Sequence, residues 1–212
     1  MSPTLSPTIH LIDDDAAVRE GLALLIGTVG LRVTTWADPQ AFLGGFDREG
    51  IGAIVLDVRM PGISGLAVLD TLVAQGVDQP VIMLTGHGTV DMCRRAFKAG
   101  AAEFLEKPVN DELLIEALQN AVRQHVRSRE RHQADRAARE RYAQLSERER
   151  EVLGFIVAGL TNKEIGRALE LSPRTVESHR ANLFAKLQAE SLAQLIRHYA
   201  ALVDAESNGG TP

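Results

Sequence analysis

Five short strand-like runs alternate with helix-length stretches across residues 8–126, and few folds accommodate that alternation. The runs are TIHLI (8–12), LRVTTW (31–36), AIVLD (53–57), VIMLT (81–85) and AEFLE (102–106). Between and after them, residues 16–29, 39–46, 65–75, 89–99 and 110–126 read as helices; Val18, Leu22, Leu25 and Val29 fall at helical spacing, and Pro39 suits a first helical turn. AIVLD and VIMLT are apolar without interruption, as strands buried on both faces must be. Strands that alternate with helices in this way predict an α/β domain over residues 8–125 built on a doubly wound, five-stranded parallel sheet. Such sheets place their chemistry at the carboxyl ends of the strands.

The rest of the chain has a different character. Residues 1–120 carry 8 Lys/Arg against 16 Asp/Glu, a charge of −8, whereas residues 121–212 carry 15 against 12, a charge of +3. The change of sign separates an acidic module from a mildly basic one, and most of the basic excess lies in residues 126–142 and just before them. That Arg/Glu/Ala-rich stretch reads as a solvated helical linker; a coiled-coil stalk would need sustained apolar a and d positions. Residues 143–203 read as four short helices. Ser146 and Glu149 form a capping box, Thr161 caps the second helix, and Ser172 with Pro173 starts the third. The ends, 1–7 and 204–212, read as disordered. The single cysteine, Cys93, excludes a disulfide framework. No secretory leader is visible, and nothing approaches the roughly 18 apolar residues of a membrane span. A soluble, cytoplasmic protein is expected.

Four of the five strands close on polar groups: Asp13 and Asp14 after the first, Asp57 on the third, Thr85 on the fourth, and Lys107 after the fifth. The topology brings these distant residues to one edge of the sheet. Clustered carboxylates repel unless a cation joins them, and Mg²⁺ prefers oxygen ligands. Asp14 and Asp57 would supply side-chain oxygens, with the carbonyl of Arg59, while Asp13 would act through water. Asp57 could then attack a phosphoryl group and form an acyl phosphate, Lys107 pairing with its oxygens and Thr85 hydrogen-bonding to one of them.

LIDDD (11–15), LDVRMPGISG (56–65), LTGHGT (84–89) and EFLEKP (103–108) resemble the receiver domain of two-component response regulators, which is flavodoxin-like. The resemblance implies phosphorylation of Asp57 by a sensor histidine kinase. It also implies a switch in which Thr85 moves toward the phosphoryl group and Phe104 rotates inward behind it; read alone, Phe104 suits a plain core role. Arg59 and His87, beside the site, are candidates for tuning the phosphoryl lifetime, although both also read as exposed loop residues.

GLTNKEIGRALELSPRTVESHRANLFAKL (159–187) has the spacing of a helix-turn-helix, with Ile165, Leu169, Val176, Leu183 and Leu187 on a buried side. LSERERE (145–151), GLTNKEIGRAL (159–169) and SPRTVESHRANLFAKL (172–187) resemble the LuxR/GerE-type DNA-binding domain. By motif position, Lys163, Thr175, Arg180 and Lys186 would bind backbone phosphates, and Glu177 and Ser178 would face base edges; His179 is either structural or a phosphate contact. The two modules together are most similar to the FixJ-like response regulators. That resemblance implies promoter DNA as ligand, homodimerisation on phosphorylation through the face around the fourth helix and fifth strand, and RNA polymerase as a further partner. A Mg²⁺-dependent phosphatase with an aspartate nucleophile is the enzyme reading. It commonly has a second acid two residues after the nucleophile, where this chain has Arg59. The remaining alternative is a receiver joined to a protein-interaction bundle.

Overall fold

The computed structural model describes residues 6–209, with side chains described through Glu206. Residues 1–5 and 210–212, part of the ends expected to be disordered, lie outside the described residues. The chain divides into two compact units, Met1–Arg129 and Glu130–Pro212.

In the first unit, β1 (Thr8–Ile12), β2 (Arg32–Trp36), β3 (Gly52–Asp57), β4 (Val81–Thr85) and β5 (Glu103–Glu106) form one sheet in the order β2-β1-β3-β4-β5. All four pairings are parallel. The crossovers are α1 (Ala16–Thr28), α2 (Pro39–Gly45), α3 (Gly65–Ala74) and α4 (Val90–Lys98). Asp15, Asp38, Ser64 and Thr89 start these helices, each side chain accepting backbone N–H groups that the first turn would leave unpaired. Strand alternation divides the core in two. Ile12, Ile54, Leu56 and Met83 face Phe42 of α2 and Leu69 of α3, while Ile9, Leu11, Val55 and Leu84 face Ile26 of α1 and Leu114 and Leu118 of the helix that follows β5. Every residue of β3 and β4 is buried. On α1, Ile26 is the wholly buried residue; Val29, counted above in the helical stripe, is the C-cap and 39% exposed.

Helix α3 begins hard against β3. A Cβ built on Gly65 would lie 2.0 Å from the backbone oxygen of Asp57, and the Gly65 N–H donates to the Val58 carbonyl at 3.0 Å. This packing fixes the backbone that carries Asp57.

Helix α5 (Asp111–Ala143) runs for 33 residues, from the first unit into the second. Near the end of the first unit, the buried His125 bonds through Nδ1 to Gly52 and through Nε2 to Asp78. One turn on, Arg129 pairs with Asp78 at 2.8 Å and Glu49 at 3.0 Å. The stretch read as a solvated linker is exposed at Arg127, Arg139 and Glu140 and without interruption over residues 130–136. Beyond it, Ala138 and Tyr142, four apart on one helix face, join the core of the second unit.

That second core is built by α5's last turns with α6 (Glu147–Val157), α7 (Asn162–Ala168), α8 (Pro173–Leu187) and α9 (Leu192–Gly209). Val152, Leu153, Ile165, Val176, Leu183 and Leu195 are wholly buried. Residues 204–209, expected to be disordered, continue α9. Glu206 is tied down there: Tyr142 donates its hydroxyl to it at 2.7 Å, and Arg150 pairs with it at 3.1 Å. Burial, reinforced by the Glu206 carboxylate, pushes the Tyr142 phenol up to about 12, so it stays a donor. Among the described residues, no helix is long and apolar enough to cross a membrane.

Leu183 sits wholly buried where α8 meets the second core. Leu183→Ala should cost about 2–5 kcal/mol through lost burial and a residual cavity. Hydrogen exchange in α6–α8 of the variant should rise accordingly, and unchanged protection would contradict this placement.

Candidate functional site

The carboxyl ends of β1, β3, β4 and β5 bring Asp13, Asp57, Thr85 and Lys107 together. Asp13, Asp57 and Thr85 are buried, and Lys107 is largely covered. The Lys107 ammonium lies 2.5 Å from Asp13 Oδ2 and 2.6 Å from Asp57 Oδ1, so one cation serves two carboxylates. The other oxygens are held by backbone: Asp15 N–H donates to Asp13 Oδ1 at 3.0 Å, and Arg59 N–H to Asp57 Oδ2 at 2.7 Å. Burial pushes the Asp57 carboxyl above its ordinary value, the neighbouring Asp13 charge adds to this, and the Lys107 and Arg59 donors only partly offset it. Burial lowers the Lys107 ammonium, but the two carboxylates outweigh that and hold it above the usual lysine value.

Asp13, expected to act at one remove, is the first-strand carboxylate that touches Lys107. The neighbouring Asp14 is exposed. Among the described residues, no three His, Cys, Asp or Glu side chains are already gathered as a metal cage. The donor set still suits a hard divalent cation. It offers only oxygens from Asp13, Asp14 and Asp57, and a carboxyl that burial holds above its ordinary value.

Thr85 has little to hold its hydroxyl, which meets Met92 Sδ at 3.9 Å and accepts the His87 N–H at 3.3 Å. Phe104 is partly buried on the edge strand against the α2–α4 side of the core. Gly88, which the sequence did not single out, separates the two: a Cβ there would stand 3.2 Å from the Phe104 ring and 3.3 Å from the Thr85 methyl. Glu106 accepts the Gly88 N–H at 3.4 Å. The side chains of Arg59 and His87 are exposed.

In the second unit both N-caps of the α6–α7 pair are capping boxes. The pairs are Ser146 with Glu149 and, beyond the simple cap foreseen, Thr161 with Glu164. Ser172 caps α8 with Pro173 in its first turn. Val176, Leu183 and Leu187 face inward, while Lys163, Glu177 and Ser178 are exposed and Thr175, His179 and Arg180 are half-buried. Arg174, passed over in the sequence, adds an exposed cation to the same helix, its carbonyl accepting the Ser178 hydroxyl at 3.2 Å. Lys186 is not a free cation. It pairs at 2.7 Å with the buried Glu149, locking α8 to the cap of α6.

Two family descriptions match the chain: response regulator receiver domain over residues 9–119, and bacterial regulatory proteins, luxR family, over residues 143–199. The transcriptional regulatory protein FixJ of Azorhizobium caulinodans is 47% identical over 89% of this chain and 90% of its own length. FixJ of Bradyrhizobium diazoefficiens is 42% identical over 89% and 92%. The response regulator protein TodT of Pseudomonas putida is 38% identical over 89% and 83%. Among solved structures, the response regulator StyR matches with a TM-score of 0.81 at 36% identity, covering 92% of this chain and 99% of its own. Full-length FixJ from B. japonicum matches at 0.58 and 41%, covering 93% and 97%.

The Glu149–Lys186 pair gives a pH dependence of definite sign. Burial pushes the Glu149 carboxyl up, but Lys186 and the Ser146 amide and hydroxyl outweigh it and hold it below the usual carboxylate range. A carboxyl lowered by folding stabilises fully above its unfolded value and loses that contribution as pH falls through its folded value. Glu149→Gln should therefore lower the melting temperature at about pH 7 more than at about pH 3. Equal losses at both pH values would show that the charge contributes nothing.

Proposed function

The chain belongs to the FixJ-like two-component response regulators, a receiver domain joined to a LuxR-type DNA-binding domain, and from that premise we propose how its own residues carry the signal. The receiver implies a kinase partner and the second domain implies DNA. The observation that carries the reading is the Lys107 ammonium shared between Asp13 and Asp57.

Asp57 is the phosphoacceptor. One of its oxygens forms a bond to phosphorus as the P–N bond of a phosphohistidine, or the P–O bond of a small phosphodonor, breaks. Asp14, Asp57 and the Arg59 carbonyl would hold a magnesium ion, with Asp13 at one remove, and the ion would neutralise charge on the phosphoryl oxygens. The transfer turns a carboxylate oxygen into an anhydride oxygen and adds negative charge just beyond it. Lys107 then exchanges its Asp57 partner for a phosphoryl oxygen while keeping Asp13. The Thr85 hydroxyl, held only by a thioether and a long amide bond, turns toward the same group, and Phe104 moves in behind it past Gly88. These movements repack the face of α4 and β5, and the receiver dimerises through it.

On DNA, Lys163, Thr175 and Arg180 contact phosphates and Glu177 and Ser178 face base edges, with His179 beside them. Lys186 reaches a phosphate only by sharing its ammonium with Glu149. The small basic excess of this half makes paired half-sites bound by a dimer the tight-binding form, with RNA polymerase recruited there.

Treatment with acetyl phosphate and Mg²⁺ should add one phosphoryl group to Asp57, seen by mass spectrometry, and none to Asp57→Asn. Sedimentation of the same samples should show monomer passing to dimer only in the wild type. Added mass at another residue, or identical sedimentation with and without phosphodonor, would overturn the corresponding step. Lys163→Ala should weaken binding to promoter DNA about equally across sequences and reduce the salt slope by about 1; a change in sequence preference would instead place Lys163 at a base.

A further inference from the structure

Away from the phosphoacceptor, the first unit holds a cavity of about 520 Å³ between the β1–β2 edge of the sheet and the loop that follows α2. It exists because α2 is short. The helix lasts seven residues and stops at Gly45, so its end leaves the outer strands partly uncovered. Gly45 also matters by having no side chain, since a Cβ there would meet the Trp36 ring at 3.3 Å.

The lining is mixed in a specific way. Trp36 and Phe46 supply aromatic surface, and Phe46 is braced by stacking on Phe42 at 4.4 Å between centroids. His10 also lines the cavity, although only 6% of it is exposed. The Trp36 indole N–H donates to His10 Nδ1 at 3.4 Å. A neutral imidazole that accepts at Nδ1 carries its proton on Nε2, and that N–H has no hydrogen-bond partner among the described residues. Burial lowers the His10 pKa, against a weaker upward pull from Asp47, which favours this neutral form. Arg32 and Asp47 both line the cavity, with opposite charges. Asp47 already accepts the Glu49 N–H at 3.0 Å.

A ligand whose acceptor meets the His10 Nε2–H replaces a hydrogen bond to water with one of its own, a modest net gain. Aromatic walls favour a flat ring, and balanced rim charges favour no net charge. We propose that this cavity binds a small uncharged aromatic molecule bearing a hydrogen-bond acceptor, its ring against Trp36 and Phe46 and its acceptor on His10 Nε2–H.

Trp36 is the single tryptophan of the chain, so its fluorescence reports on this cavity alone. The full-length protein is titrated with benzamide, which has ring and acceptor, and with toluene, which has only the ring. Benzamide should give a saturable change with Kd on the order of 1 mM, and toluene should bind at least several-fold more weakly. His10→Phe keeps the aromatic volume and removes the donor; it should weaken benzamide about tenfold and leave toluene unaffected. Thr34→Tyr, at an exposed position on the edge strand, narrows the mouth and should abolish both responses while the far-ultraviolet circular dichroism stays native. The proposal is overturned if benzamide gives no saturation by about 20 mM, if toluene binds as well as benzamide, or if folded Thr34→Tyr still binds it. Should His10→Phe fail to fold, the benzamide–toluene comparison and Thr34→Tyr decide alone.

Discussion

One ammonium between two buried carboxylates organises the signalling end of this molecule. Lys107 stands within 2.6 Å of both Asp13 and Asp57, three residues drawn from the ends of three strands. None of them tolerates burial alone, because an isolated charge in a low-dielectric interior is costly. The parallel sheet makes the arrangement available by ending β1, β3, β4 and β5 at the same edge. Two carboxylates share one cation there, which leaves the cluster with net negative charge.

The DNA-binding half solves a different problem. It is small and must present short helices at fixed angles, so much of its order comes from helix ends. Two capping boxes and a third Ser cap pair the amides that open α6, α7 and α8. Glu149 takes part twice, closing its own cap and receiving Lys186 from α8. A residue that looks like a free cation for phosphate is thereby also a strut between helices.

Local chemistry was legible in the sequence. Uninterrupted apolar runs announced β3 and β4, Ser and Thr before a helix announced caps, and polar strand ends announced Asp57, Thr85 and Lys107. What escaped depends on partners far along the chain. Asp13 is drawn inward by its amide, which donates to the Trp36 carbonyl at 3.2 Å, and by Lys107, 94 positions away; two adjacent aspartates cannot be told apart without those partners. Ala138 and Tyr142 make too short an apolar pattern to stand out from an Arg/Glu-rich helix. The last turns of α9 gain order from Tyr142 and Arg150, over 50 residues upstream, so a short polar tail read as structureless.

Gly65 has neither charge nor polarity, yet its hydrogen stands where even a methyl group would be driven into the peptide oxygen of Asp57. An alanine there must displace either the start of α3 or the strand end that carries Asp57. The side chain that position 65 lacks thus governs where a carboxylate eight residues earlier can stand, without touching that carboxylate itself.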